Sequence, residues 1–176
     1  MNDVIIITWK SGSWKTTLSN YLEENYWYSI PYNYTTRKPR IYDEKDYSEY
    51  CFISNKYFEW LWEQDRLLNR TEFNWNQYWV GIETLKIEKL VFVVDADWRE
   101  KLLEIFPTAR TVWVETSDFE RRKRLYVRGL SWIDLEARLD WPSEQMNPSS
   151  TCIIVDGTTP VKEIAYSLIE DNKWGE

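Results

Sequence analysis

The chain has 176 residues, a net charge of −7 at neutral pH, 43% hydrophobic and 29% charged residues. That length and balance fit one globular domain, the negative charge disfavours a nucleic-acid polymer as partner, and no apolar run approaches the roughly 20 residues needed to cross a bilayer. The opening "MNDVIIIT" passes at once into loop chemistry, without the pattern of a signal peptide. Cys51 and Cys152, far apart and without metal-ligand spacing, read as free thiols in a reducing, cytoplasmic setting, with a bridge between them as the alternative. Gly 5 and Trp 12 are abnormal, since average usage predicts on the order of a dozen glycines.

Strand and helix patterns alternate along the chain. The β-branched run Asp3 to Thr8 predicts a buried strand, followed by a loop and a helix over about Thr16 to Tyr26. Residues 32 to 80 are Tyr-rich with mixed charge; they predict a short helix in "SNKYFEWLWEQD" and strand-like pieces at Asn69 to Phe73 and Gln77 to Val80. Further strands are predicted at Leu90 to Asp95, Thr111 to Glu115 and Thr151 to Asp156. Helices are predicted near Arg99 to Phe106, Asp118 to Val127, Asp134 to Glu144 and Pro160 to Asp171. Apolar strands separated by helices imply an α/β fold, a parallel sheet covered on both faces. Two basic clusters stand out, Arg37, Lys38, Arg40 and Arg121, Arg122, Lys123, Arg124, Arg128; most of the second is expected to be the solvated face of a helix.

Parallel sheets bind ligands at the carboxyl ends of their strands, and the first such point reads "WKSGSWKTT". Trp9 to Thr16 would match the phosphate-loop pattern G-x-x-x-x-G-K-[ST] if both tryptophans were glycine, which places Lys15 and Thr16 at the phosphate-binding lysine and the magnesium-holding hydroxyl. A Ser/Gly turn with a surface lysine is the bland alternative. Phosphate-loop glycines adopt conformations costly for residues with a Cβ and admit backbone N–H groups to the phosphates, so Trp9 and Trp14 are expected to crowd that site.

Here the chain resembles the guanylate kinase family of nucleoside monophosphate kinases, over nearly its whole length. "YTTRKPR" (Tyr34 to Arg40) resembles the family's Ser-x-Thr-Thr-Arg-x-x-Arg, with Asn33 for the serine; "EYCF" resembles Asp-Tyr-x-Phe; "WNQYW" (Trp75 to Trp79) resembles Gly-Asn-x-Tyr-Gly. "VVDADW" resembles a strand ending in Asp-x-Asp, and "RLYVRG" with "EARL" its lid arginines, Arg128 and Arg138. The resemblance implies a three-layer α/β fold of the P-loop NTPase type in one domain, with a core of residues 1–31 and 81–176, a monophosphate-binding insertion at about 32–80 and a lid at about 128–141. It implies ATP and magnesium, with small-molecule nucleotides as partners. Trp9, Lys10, Ser11, Gly12, Ser13, Trp14, Lys15, Thr16 and Thr17 would hold ATP. Thr16 would coordinate magnesium with Asp95 behind it, and Lys15, Arg128 and Arg138 would stabilise the transferring phosphate. Asn33, Arg37, Arg40, Tyr50, Asn69, Glu72, Tyr78, Val80 and Asp97 would form the acceptor site.

The acceptor arginines have a bland alternative in Asp43, Glu44 and Asp46 nearby. Base recognition departs from the family pattern: its guanine-reading glutamate falls at Asn69 and its serine partner at Val80, with Glu72 as a substitute carboxylate. "YWVGIE" with glycine at position 79 also resembles ribose 1,5-bisphosphate phosphokinases. A catalytically silent binding module is the remaining alternative. Trp9, Trp14, Trp75 and Trp79 fall on family glycines and Trp98 near another, so some tryptophans are read as codons that the source translates as glycine, with inactivation as the alternative. Trp60, Trp62 and Trp113 read equally well as ordinary core or surface aromatics.

Overall fold

The computed structural model describes residues 2–10, 12–13, 15–39, 50–68, 70–73, 75–94, 96–127, 129–139, 148 and 150–170. It divides into two compact units, Asp3–Ile30 with Lys89–Glu176, and Met1–Asn2 with Pro31–Glu88.

In the larger unit the strands are β1 (Asp3–Trp9), β6 (Lys89–Val93), β7 (Arg110–Glu115) and β8 (Ile153–Asp156). They form a parallel sheet in the order β6-β1-β7-β8. Successive residues of β1 are buried on both faces, Val4, Ile5, Ile6 and Ile7 all at 3% exposure or less, which is why the strand reads as a continuous apolar run. Ile5 and Ile7 pack with Leu18 and Leu22 of α1 (Lys15–Tyr26) and with Ile164, Ala165 and Leu168 of the C-terminal helix Val161–Glu170. On β6, Phe92 meets Phe106, which follows the helix Ala96–Ile105, at a ring separation of 5.6 Å. Helices Asp118–Val127 and Trp132–Leu139 pack on each other through Leu125, Leu135 and Leu139. The predicted helix Asp134 to Glu144 thus starts two residues earlier, and its residues 140–144 lie outside those described.

The amino end of this sheet is tied by polar groups. Arg110 on β7 donates to the Asp3 carboxylate at 2.5 Å, to the Tyr28 hydroxyl at 2.8 Å and to the Leu168 carbonyl, while Tyr28 donates to Asp3 at 2.6 Å. Burial first, then the bond to Asp3, pushes the Tyr28 phenol well above the usual tyrosine range, so it stays a donor. Removing the guanidinium from this part-buried cluster leaves Asp3 and the Leu168 carbonyl short of a donor. Arg110→Ala is therefore expected to cost about 2 kcal/mol, read as a fall in the urea midpoint at unchanged slope; a loss below about 0.5 kcal/mol would mean water replaces the arginine without penalty.

The smaller unit holds β2 (Asn33–Thr35), β3 (Tyr50–Phe52), α2 (Asn55–Glu63), β4 (Thr71–Phe73) and β5 (Asn76–Val80), with strand order β3-β2-β5-β4. β2 runs parallel to β3 and antiparallel to β5, and β4 and β5 form a hairpin. Ser54 caps α2, its side chain accepting from the Tyr57 N–H at 3.2 Å. Phe58, Leu67 and Trp79 form the core. Residues 81–88, expected with the larger core, cluster with this unit instead. The reason is local pairing: Gly81 bridges Leu67, the Ile82 N–H donates to the Arg66 carbonyl at 3.0 Å, and Asn2 donates to the carbonyls of Leu85 and Ile87 at the carboxyl end of the 3₁₀ helix Ile82–Lys86.

Candidate functional site

β1 ends at Trp9, α1 begins at Lys15, and Lys10, Gly12 and Ser13 are the described residues of the loop between them. The loop closes on itself: the Ser13 hydroxyl donates to the Lys10 carbonyl at 2.6 Å, and the Ser13 N–H reaches the same oxygen at 3.3 Å. Gly12 takes a left-handed φ of +84°, and a Cβ there would lie 2.9 Å from the Arg121 carbonyl oxygen, so only glycine fits both the conformation and the space. Lys15, Thr16 and Thr17 form the first turn of α1, whose leading N–H groups lack intrahelical partners and favour an anion. Thr16 is half-buried and Thr17 exposed, while the Thr16 carbonyl accepts from the Ser19 hydroxyl at 3.2 Å. Ser11 and Trp14 lie outside the described residues, as do the side chains of Trp9 and Lys15; the expected crowding by the two indoles falls there too.

The loop is backed by the helix Asp118–Val127 in a way its charge did not announce. Arg121 is 3% exposed and paired with Asp118 at 2.7 Å. Arg122 pairs with Glu136, and Arg124 donates to the Gly12 carbonyl at 3.4 Å and to the Gly157 carbonyl at 3.2 Å. The expectation of a solvated basic face is thus corrected at Arg121 and Arg124: small left-handed Gly12 lets the helix backbone approach, and the arginines turn inward to carbonyls and to Asp118. The only hint in the sequence is that Asp118 stands three residues before Arg121, at ion-pair spacing on a helix. Gly157, after β8, donates its N–H to Glu115 at 2.6 Å, and a Cβ there would overlap the Thr116 hydroxyl. Beside it Asp156 accepts from the N–H and hydroxyl of Thr158, bonds that hold its carboxyl below the usual range.

In the smaller unit, three of the proposed acceptor residues come together. The Arg37 guanidinium lies 4.7 Å from the Tyr50 ring centre and 5.1 Å from that of Phe52, and Tyr78 meets Tyr50 edge-on at 6.2 Å. The ladders explain it, because β2 pairs Asn33 with Tyr50 on one side and Thr35 with Tyr78 on the other. The Thr35 hydroxyl also accepts from the Arg37 N–H at 3.2 Å. Val80, paired with Asn33, is buried at 2% and presents no polar group. Glu72 is exposed and accepts from the Gln77 amide at 3.1 Å, while Gln77 accepts from Arg70, which also pairs with Glu59. Arg70 and Gln77 were not singled out in the sequence; their offset from Glu72 across the β4–β5 hairpin is the signal that would have found them.

Trp79, expected at a glycine position, is fully buried, stacked on Tyr34 at 5.7 Å and against Phe58 at 4.1 Å; its indole N–H has no hydrogen-bond partner. Tyr34 donates to Glu83 at 3.3 Å. Trp113 is core, whereas Trp60 and Trp62 are part-exposed on α2. Arg40, Asn69, Asp95, Arg128 and residues 43–46 lie outside the described residues, as do the side chains of Asp97, at the head of the helix Ala96–Ile105, and of Arg138, on Trp132–Leu139. Both cysteines are free thiols, and no group of three or more Cys, Asp or Glu suited to a metal ion occurs among the described residues.

No family model matches the chain. It is 31% identical over 140 residues to a guanylate kinase of Helicobacter pylori, covering 72% of this chain and 65% of that protein. To a guanylate kinase of Nitrosomonas europaea it is 27% identical over 137 residues, covering 73% and 67%. The matched part thus spans about two-thirds of these relatives' length. Among solved structures, the fold resembles a guanylate kinase from Anaplasma phagocytophilum with a TM-score of 0.64 at 18% identity, covering 99% of this chain and 87% of that one. A gluconokinase from Sinorhizobium meliloti gives 0.52 at 17% identity, covering 98% and 96%.

Proposed function

Because the chain belongs to the guanylate kinase family, we propose that it transfers the γ-phosphate of ATP to a nucleoside monophosphate, GMP or dGMP, giving ADP and the diphosphate. The observation that carries this reading is the self-bonded loop around left-handed Gly12, followed directly by Lys15 and Thr16 at the head of α1.

Phosphoryl transfer needs position and charge neutralisation more than covalent help. An acceptor phosphate oxygen bonds to the γ-phosphorus as the bond to the β-bridging oxygen breaks, and ADP leaves. The loop and the α1 N-terminus would hold the donor phosphates through backbone N–H groups, and Lys15 would neutralise charge on the transferring group. The half-buried Thr16 hydroxyl would hold a magnesium ion carried by ATP, which would supply charge neutralisation across the phosphates. Arg37 with Tyr50 and Tyr78 would grip the acceptor monophosphate, a planar guanidinium matching phosphate oxygens. Arg40 would join them, and Arg128 and Arg138 would close over the transfer. A cytoplasmic setting belongs to the same proposal, in keeping with two free thiols.

The base choice turns on Glu72, since buried Val80 offers guanine no partner. The test is a coupled assay with ATP and magnesium against GMP, dGMP, AMP, CMP, UMP and ribose 1,5-bisphosphate. Turnover of GMP or dGMP is expected. Turnover of the sugar phosphate alone would select the other kinase specificity. No turnover of any acceptor, with no thermal shift on adding ATP, would identify a silent binding module.

A further inference from the structure

Among the described residues, five hold a left-handed backbone: Gly12 and Gly129 at φ +84°, Asp65 at +52°, Trp27 at +59° and Trp75 at +64°. Two glycines are unsurprising there, and Asp tolerates the conformation because its short polar side chain bonds locally. Tryptophan has neither excuse.

Trp27 directly follows α1, and Tyr28 folds its N–H back toward the Leu22 carbonyl at 3.4 Å. Helices commonly end with one left-handed residue just past the last turn, and that residue is usually glycine because it has no Cβ to clash. Trp75 closes the β4–β5 hairpin. With Phe73 opposite Asn76, two positions of sequence separate the paired residues, and Trp75 is the second of them. Two-residue hairpin loops of type I′ need positive φ at both central residues, which is why their second position selects glycine. Neither indole gains burial to offset its backbone, since Trp27 is 81% and Trp75 90% exposed.

We propose that Trp27 and Trp75 are glycine positions, and that the protein made by its source organism carries glycine at both because the codon read here as tryptophan is translated there as glycine. Backbone angle, position in the turn and exposure mark both residues independently of the kinase reading. It adds Trp27, which no family motif marked, to the tryptophans on family glycines. It also accounts for the shortage of glycine and excess of tryptophan together, Gly 5 and Trp 12 in 176 residues.

The test has two arms. Peptide masses covering residues 27 and 75, from protein isolated from its native source, are expected to show glycine; tryptophan at either position overturns the proposal. In the recombinant full-length chain, Trp27→Gly and Trp75→Gly are each expected to raise the folding equilibrium constant about two- to fivefold, the relief of left-handed strain outweighing glycine's extra freedom when unfolded. Trp60→Gly, at a comparably large but helical and half-exposed site on α2, is expected to lower it. Loss of stability at both 27 and 75, or no change at both, overturns the backbone argument. Neither arm depends on finding kinase activity.

Discussion

Replacing Trp9 and Trp14 together by glycine should raise kcat/KM for ATP by at least about 100-fold, the scale on which misplacing a reacting group by an ångström acts. The two residues bracket the loop, one ending β1 and the other immediately preceding α1. Between them lie a left-handed glycine and a carbonyl-anchored Ser13, and a helix N-terminus follows, all of which suit an anion. What a phosphate loop cannot accommodate is a Cβ and an indole where its backbone N–H groups must meet the anion. The measurement is the coupled assay at saturating acceptor, with ATP varied. If the double variant leaves kcat/KM within threefold of the parent, the tryptophans do not obstruct the site and the loop binds its ligand in another way.

Lys15→Met, made in that repaired background, should lower kcat by roughly 1,000-fold or more, since one preorganised group aimed at developing charge is worth about 100- to 1,000-fold and this one would also position the phosphates. Thermal stability without nucleotide should hardly move, because methionine is nearly as good a helix former as lysine. The split between lost turnover and retained stability separates a catalytic lysine from a surface one. A variant keeping a tenth or more of the activity would assign the chemistry elsewhere.

What could be read from the sequence follows from physical contrast. β1 and β7 announce themselves because both faces are buried and nearly every side chain is apolar. β2 and β3 do not, because three-residue strands rich in Tyr, Asn and Thr carry no period long enough to detect. The helix start at Lys15 and Thr16 is legible through spacing after a strand, whereas the inward turn of Arg121 and Arg124 is not, because charge on a helix ordinarily reads as solvated. The β4–β5 turn was hidden for a different reason: Asn-Gly would have flagged a hairpin at once, and Asn-Trp does not.

The strand order has a further consequence, in time rather than space. β1 precedes both of its ladder partners, which begin at Lys89 and Arg110, so residues 10–88 must be made before its first hydrogen bonds to a neighbouring strand can form. Until then the run Val4 to Ile7 is an apolar edge without a sheet, and closing such distant pairings is slow in any chain. Folding of the loop after β1 therefore waits on the synthesis of β6 and β7, and a nascent chain stalled before β6 would expose that apolar run with no strand to pair it.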